Sequence, residues 1–406
     1  MLPLRRQVII IPLSLVLGFF VAYAGFNHGM RRTMLGSTVD FRGGYNALGR
    51  IRPMNTTTPI SWEKTVGDSK AAVVPDGMKV KDLTVAVENG TLGFGKILVT
   101  NLPQNMDRRD TMVLASAFSK LKIDWVDGIP NHETRATPLV SVQNQKNPAK
   151  ESEAIGRAQM VALRTVVEQN LPCALILEDD LDWDIRLREQ MHTFALSTRT
   201  LIQPLAVKDS QNFTYADPTY FNPSLSNESA EIHFKDRPAT IQPSNSAYGD
   251  DWDILLLGHC GMTTPGRKTP NLPKGRVILE PDPTIARSNI LATDSGALEN
   301  QTRLYHHVSA PECAFAYAVS QRAARLLLYK VSLDNNTAKL DDALVALCGG
   351  GTDQERGLVC LTTQPSLFSR WEGGGAGSQH VRWSVRMNMG KYVRGDEKEW
   401  VDQYPD

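Results

Sequence analysis

An α/β fold built on a mostly parallel sheet flanked by helices is what this sequence predicts, and three observations predict it. Between Lys96 and Asp180, short apolar runs of strand type alternate with longer stretches of helical period, in the order strand, helix, strand, helix, strand. Later apolar runs, DWDILLLGHCG (251–261) and CAFAYAVS (313–320), read as buried strands, the second leading into a helix. The length, 406 residues, suits one large core of about 250–300 residues with appendages. Composition is that of an ordinary globular chain, 41% apolar and 22% charged. With 44 basic and 44 acidic residues and no long basic stripe, nothing in it points to a nucleic-acid partner.

The chain opens with Val8 to Phe26, 19 residues without a charge, flanked by Arg5 and Arg6 on one side and by His28, Arg31 and Arg32 on the other. That length just spans a bilayer, and a leading Arg pair keeps the N-terminus cytoplasmic. Residues 1–30 therefore read as a cytoplasmic tail and signal-anchor helix of a single-pass type II membrane protein. A cleaved signal peptide is the competing reading, because Ala22-Tyr23-Ala24 offers a small-x-small site and Pro12 shortens the apolar core. Both readings place the rest of the chain in the secretory lumen. Six Asn-x-Ser/Thr sequons, at Asn55, Asn89, Asn212, Asn227, Asn300 and Asn335, fit that address. Five cysteines allow two disulfides, with Cys173, at the head of an apolar run, as the buried free thiol. No Cys-x-x-Cys pair occurs, which argues against a zinc ribbon or redox motif.

Residues 31–93, rich in Gly, Thr, Pro and Arg, read as a lumenal stem, and residues 94–390 as the folded domain. KILVTNL (96–102) is its first strand. NMDRRDTMVLASAFSKL (105–121) follows as a helix with an Asn or Asp cap and Met112, Ala115, Phe118 and Leu121 at helical spacing. IDWVDGI (123–129) is the second strand, and Ser152 to Asn170 a helix with Ile155, Ala158, Val161, Val166 and Val167 inward. Pro172 stops that helix before the strand ALILEDD (174–180). A polar, Pro/Asn/Ser-rich stretch at about 208–250 reads as an inserted surface loop. After the strands at 251–261 and 313–320 come the helix QRAARLLLYKV, a short helix LDDALVALC (340–348) and a late strand and turn VCLTTQPSLF (359–368). Residues 391–406 remain as a tail.

Chemistry is concentrated in ALILEDDLDWD (174–184), where an apolar strand ends in Glu178, Asp179 and Asp180, then Asp182 and Asp184. In an open parallel sheet, ligands bind at the carboxyl ends of strands. Crowded carboxylates repel unless a cation, a proton or water intervenes, and hard oxygens select Mg²⁺, Mn²⁺ or Ca²⁺. The plain alternative is a solvated acidic loop. An EF-hand is excluded, because Ile185 and Met191 stand where its glycine and bidentate Glu belong. A glycosidase carboxylate pair is not excluded by spacing.

The order of motifs resembles glycosyltransferase family 25, the group of lipooligosaccharide and collagen galactosyltransferases, and its fungal-type members in particular. The matching pieces are ILVTNLPQNMDRRDTM (97–112), the VDG turn at 126–128, ALILEDDLDWD, DWDILLLGHCG, CAFAYAVSQRAARLLL (313–328), LDDALVALC, CLTTQPSLF (360–368) and HVRWSVRMN (380–388). Gln159 departs from the pattern, since the family often carries a His there.

The resemblance implies a GT-A-like fold, a UDP-sugar donor, a metal ion (Mn²⁺ or Mg²⁺) and inverting transfer of a hexose, galactose first, to a hydroxyl of a glycan or glycoprotein acceptor. A Golgi or endoplasmic reticulum membrane is the implied location. By the same resemblance Asp180 is the direct metal ligand, Glu178 faces the ribose or reaches the metal through water, and Asp179 is a second contact. His380 completes the metal site in preference to His306 or His307, and Asp341 is the base that accepts the acceptor's proton. Asn101 and Arg108 lie where the nucleotide sits, with Arg108 or Arg109 toward the diphosphate, and Asp127 meets base or ribose. Asp182 and Asp184 face solvent or cap the next helix, His259 is structural, and Asp341 with Asp342 has the alternative role of helix-opening acids. A catalytically inactive sugar-binding relative and a glycoside hydrolase are the other readings. The three retained acids speak against the first and Gln159 for it.

Overall fold

The computed structural model describes residues 83–128, 150–206, 214–226, 229–289, 291–293, 296–333, 340–350, 357–372, 380–396 and 398–405. The expected anchor, most of the stem and the sequons at Asn55, Asn212, Asn227 and Asn335 lie outside these residues, while Asn89 and Asn300 lie within them and are exposed. Among the described residues no helix is long and apolar enough to cross a membrane.

In chain order the elements are β1 (Lys96–Asn101), α1 (Met106–Phe118), β2 (Ile123–Asp127), α2 (Lys150–Glu168), β3 (Cys173–Glu178), β4 (Leu181–Trp183), α3 (Leu187–Ile202), β5 (Glu231–His233), β6 (Ile254–Gly258), β7 (Arg276–Leu279), β8 (Ala292–Thr293), β9 (Gly296–Ala297), β10 (Arg303–His307), β11 (Ala316–Ser320), α4 (Gln321–Leu333), α5 (Leu340–Cys348), β12 (Cys360–Gln364), β13 (Phe368–Arg370) and α6 (Val385–Val393). Among the described residues, nine strands form one sheet in the order β2-β1-β3-β11-β6-β12-β10-β7-β5. The predicted strands supply β1, β2, β3, β6, β11 and β12. Strands β5, β7 and β10 are additions, short or polar enough to escape a search for apolar runs.

The sheet is mixed. Strands β2-β1-β3, β6-β12 and β5-β7 pair parallel, whereas β11 runs antiparallel to both β3 and β6, and β10 to both β12 and β7. Each central strand is buried on both faces. Leu175 and Leu177 of β3 enter a core that also takes Met112 of α1, Phe194 of α3 and Val385 of α6. Ala174 and Ile176 enter the opposite core, with Leu163 of α2, Leu327 of α4 and Leu344 of α5. Each such fully buried aliphatic side chain contributes about 1.5–3 kcal/mol, which is why these runs read clearly as strands. On α2, Ala158 and Val166 are buried, and Ile155, Val161 and Val167 half-buried, as the spacing predicts.

Two helices went unread in the sequence. In α3 the segment Ser197 to Thr200 disguises the period, but Ser197, Thr198 and Thr200 bond to carbonyls three or four residues back and are buried. The helix α6 is started by Ser384, whose hydroxyl accepts from Met387 N at 3.0 Å. The α1 cap position is Asn105, yet its side chain makes no capping bond.

Folding also begins earlier than composition suggests. A 3₁₀ turn at Leu83–Glu88 leads to Val87 and Leu92, both fully buried, and Tyr248 Oη donates to Leu92 O at 2.5 Å. Tyr248 itself comes from the polar insertion and stacks on Phe94 at 4.7 Å. The C-terminal tail returns as well, with Trp400 5.2 Å from Phe118 and Arg382 Nε 2.7 Å from Asp402. Disulfides join Cys260 to Cys313 and Cys348 to Cys360, leaving Cys173 free and buried as expected.

Candidate functional site

Register sets the position of the acids. Thr100 pairs with Glu178 and Asn101 with Asp127, so the carboxyl ends of β2, β1 and β3 lie level on one edge of the sheet, the edge where open α/β sheets hold ligands. Strand alternation then separates the side chains. Glu178 follows Ile176 toward the face of α2, α4 and α5, and Asn101 follows Ile97 and Val99 toward the face of α1. Asp179 and Asp180 form the turn into β4, which pairs with β13.

Glu178 accepts from Arg370 Nη2 at 2.5 Å and from Gln159 Nε2 at 3.4 Å. Burial pushes its carboxyl up to about 7 against the pull of Arg370, and the charges of Asp180, Asp179 and Asp341 add to the rise. Asp179 accepts from Asn101 Nδ2 at 2.7 Å. Burial raises this carboxyl too, opposed by the Asn101 bond and by Arg108. Arg108 Nη1 stands 3.5 Å from both Asp179 Oδ1 and Asp180 Oδ2, at the outer limit of hydrogen bonding. Arg386 of α6 braces the turn, donating to Leu181 O at 2.8 Å and Asp179 O at 3.0 Å.

Asp182 and Asp184 behave differently. Neither faces solvent, at 0% and 1% exposure. Asp182 accepts from Ser384 Oγ at 2.5 Å, Trp183 N at 2.9 Å and Arg386 N at 3.1 Å. Asp184 accepts from Arg186 N and Nε and from Trp383 N, each at 2.9 Å, and from Arg186 Nη2 at 3.0 Å. They tie the starts of α3 and α6 to β4, but α3 has Arg186 as its N-cap with no side-chain capping bond and Asp182 serves α6, so neither expected role, facing solvent or capping the next helix, holds.

Of the remaining expected residues, Arg108 meets the acids, while Arg109 turns to Asp127 at 2.6 Å and lies over Trp125 at 4.4 Å. Asp127 is thus at the right strand end but already paired, and exposed. Asp341 opens α5 on the Glu178 face, close enough for its charge to act on Glu178. His380, in a left-handed conformation (φ 63°), places Nδ1 3.2 Å from Asn289 Nδ2. Burial and the Arg303 charge lower its pKa. His259 is buried with Nε2 3.0 Å from Thr363 O, and burial holds His306 and His307 down to about 3 and about 4. Sequence reasoning missed Arg370 and Arg386, which meet the acids from segments about 200 residues further on with no local signal. Gln159 was visible as a departure from the family pattern, and it touches Glu178.

Among the described residues no group of three or more His, Cys, Asp or Glu side chains is arranged to hold a metal, so Glu178, Asp180 and His380 are not gathered as a ligand set. Two buried acceptors at this edge nevertheless lack partners among the described residues, Asp180 Oδ1 in the turn and Asn101 Oδ1 at the end of β1. An unpaired buried acceptor costs roughly 1–3 kcal/mol, and hard oxygens of this kind beside further carboxylates suit Mg²⁺ or Mn²⁺. Such ions are commonly held by one or two carboxylates, with water and substrate phosphates completing the shell. Compared with known protein families and with curated proteins, the chain matches none.

Proposed function

We propose that the chain is a glycosyltransferase that moves a hexose, galactose first among candidates, from a UDP-sugar to a hydroxyl of a glycan or glycoprotein. The observation that carries the reading is the unpartnered Asp180 Oδ1 in an acidic turn flanked by the half-exposed Arg108 and Arg370. Carboxylate oxygens for a cation beside guanidinium groups for phosphate are what a metal-bound nucleoside diphosphate requires. Asp180 would hold Mn²⁺ or Mg²⁺ directly, with Asp179 beside it and Glu178 through water. When bound, the cation offsets diphosphate charge and favours departure of the nucleotide. Arg108 steadies the phosphates, and Asn101 orients Asp179. Asp341 accepts the proton of the acceptor hydroxyl while that oxygen bonds to the anomeric carbon and the nucleotide leaves with the bonding pair. The reading includes a type II anchor in residues 1–30 and a lumenal site in the Golgi or endoplasmic reticulum.

A glycoside hydrolase is favoured by one feature, a carboxyl held near 7 at Glu178 with the Asp341 charge nearby, the kind of contrast an acid and its partner carboxylate use. One experiment separates the two. Incubated with a panel of UDP-sugars, the chain should hydrolyse one donor slowly in Mn²⁺ and not in chelator. Asp180→Asn should lose Mn²⁺-dependent UDP binding by at least about 100-fold. Unchanged UDP binding in Asp180→Asn sinks the assignment, and turnover of aryl glycosides without nucleotide moves the protein to the hydrolases.

A further inference from the structure

Arg370 is the most exposed partner of Glu178. Its side chain is half in solvent, at 49% exposure, while that of Glu178 is at 13%. It leans over the Phe315 ring at 5.3 Å. Its strand holds it beside the turn, with Arg370 opposite Leu181 and Trp371 N donating to Asp180 O at 2.9 Å. A guanidinium so placed can swing away from Glu178 without unfolding anything. Glu178 cannot follow it, and a buried carboxylate deserted by its cation needs another donor.

A donor stands nearby. Tyr317 lies opposite Ile176 in the β3–β11 pairing, so its ring rises on the same face as Glu178, two residues along, within the diagonal reach of an aromatic side chain. The residue is 1% exposed, and Oη has no hydrogen-bond partner among the described residues. Phenylalanine would fill the same volume without stranding a hydroxyl, so packing alone does not account for Tyr317. The charges that act on the phenol are those of Asp341 and Glu178, and with burial they keep it in its O–H form.

We propose that Arg370 is an anion-binding residue for the donor diphosphate, held by Glu178 until the anion arrives, and that Tyr317 is a positioning residue whose O–H then takes over Glu178. The inference rests on the nucleotide-sugar reading for the identity of the anion; the exchange of partners at Glu178 does not. With Arg370 turned to phosphate, the site gains a second guanidinium opposite Arg108, and Glu178 stays satisfied on the side that faces Asp341.

The test is a double-mutant cycle with two readouts on the full chain. In the first, thermal unfolding without ligand, Tyr317→Phe alone leaves Tm within about 1 °C, because Oη has no partner to lose. In an Arg370→Gln background, where Glu178 has turned to Tyr317, the same change lowers Tm by about 3 °C or more. Equal effects of Tyr317→Phe in both backgrounds overturn the exchange. In the second, binding of inorganic pyrophosphate and of UDP with Mn²⁺, Arg370→Gln weakens both about tenfold. Tyr317→Phe weakens both about threefold in the wild-type background and not at all beside Arg370→Gln. Pyrophosphate binding unaffected by Arg370→Gln overturns the anion role. Wild type that binds pyrophosphate but no uridine nucleotide leaves Arg370 in place and sinks the UDP-sugar reading instead.

Discussion

Seven residues, Glu178 to Asp184, hold five carboxylates in two conditions. Asp182 and Asp184 are completely buried and accept three and four hydrogen bonds respectively, most from backbone N–H groups and a neighbouring arginine. Glu178, Asp179 and Asp180 keep company with arginines that are 40% and 49% exposed, and one oxygen of Asp180 has no partner. The structural pair is both more deeply buried and more completely hydrogen-bonded than the three acids proposed to be functional.

Removing a structural acid should have the largest effect. Asp182→Ala strands Ser384 Oγ, Trp183 N and Arg386 N together and should cost about 3–5 kcal/mol in urea unfolding. A loss under about 1 kcal/mol would erase the contrast between the two groups.

Glu178→Gln should act in the opposite direction. The folded pKa of about 7 lies above the ordinary 4.5. The native state is thus unpenalised below pH 4.5 and loses stability as pH rises through 7. The variant should gain about 2 kcal/mol over wild type at pH 8 and nothing at pH 4.5. A gain that is flat with pH would remove desolvation as the cause.

Asp180→Asn should move stability least, within about 0.5 kcal/mol, since the contact it loses is a 3.5 Å pairing with a half-exposed arginine. A loss above about 2 kcal/mol in the same urea assay would put Asp180 with the structural pair.

The acids were legible in the sequence because five carboxylates after an apolar run break the composition of a buried strand. Helix-start preferences already set Asp182 and Asp184 apart from the other three, but not their partners: the return of α6 brings Ser384 and Arg386 to Asp182, while one oxygen of Asp180 has no partner among the described residues. Asp341 could be marked from its motif, whereas Tyr317 and Arg370 had no mark at all. Each is ordinary in its own segment and acquires meaning from Glu178.

What the sequence by itself determined is what depends on near neighbours. It set the six apolar strands, the helices α1, α2, α4 and α5, the free Cys173 and the acidic end of β3, because burial of one face or two is written into local periodicity. Only the tertiary structure decided strand direction at β10 and β11, the folding of residues 83–93 and of the C-terminal tail onto the core, and the partner of each carboxylate. Those depend on contacts between segments up to about 200 residues apart, and a hydrogen bond at that separation leaves no period in the chain.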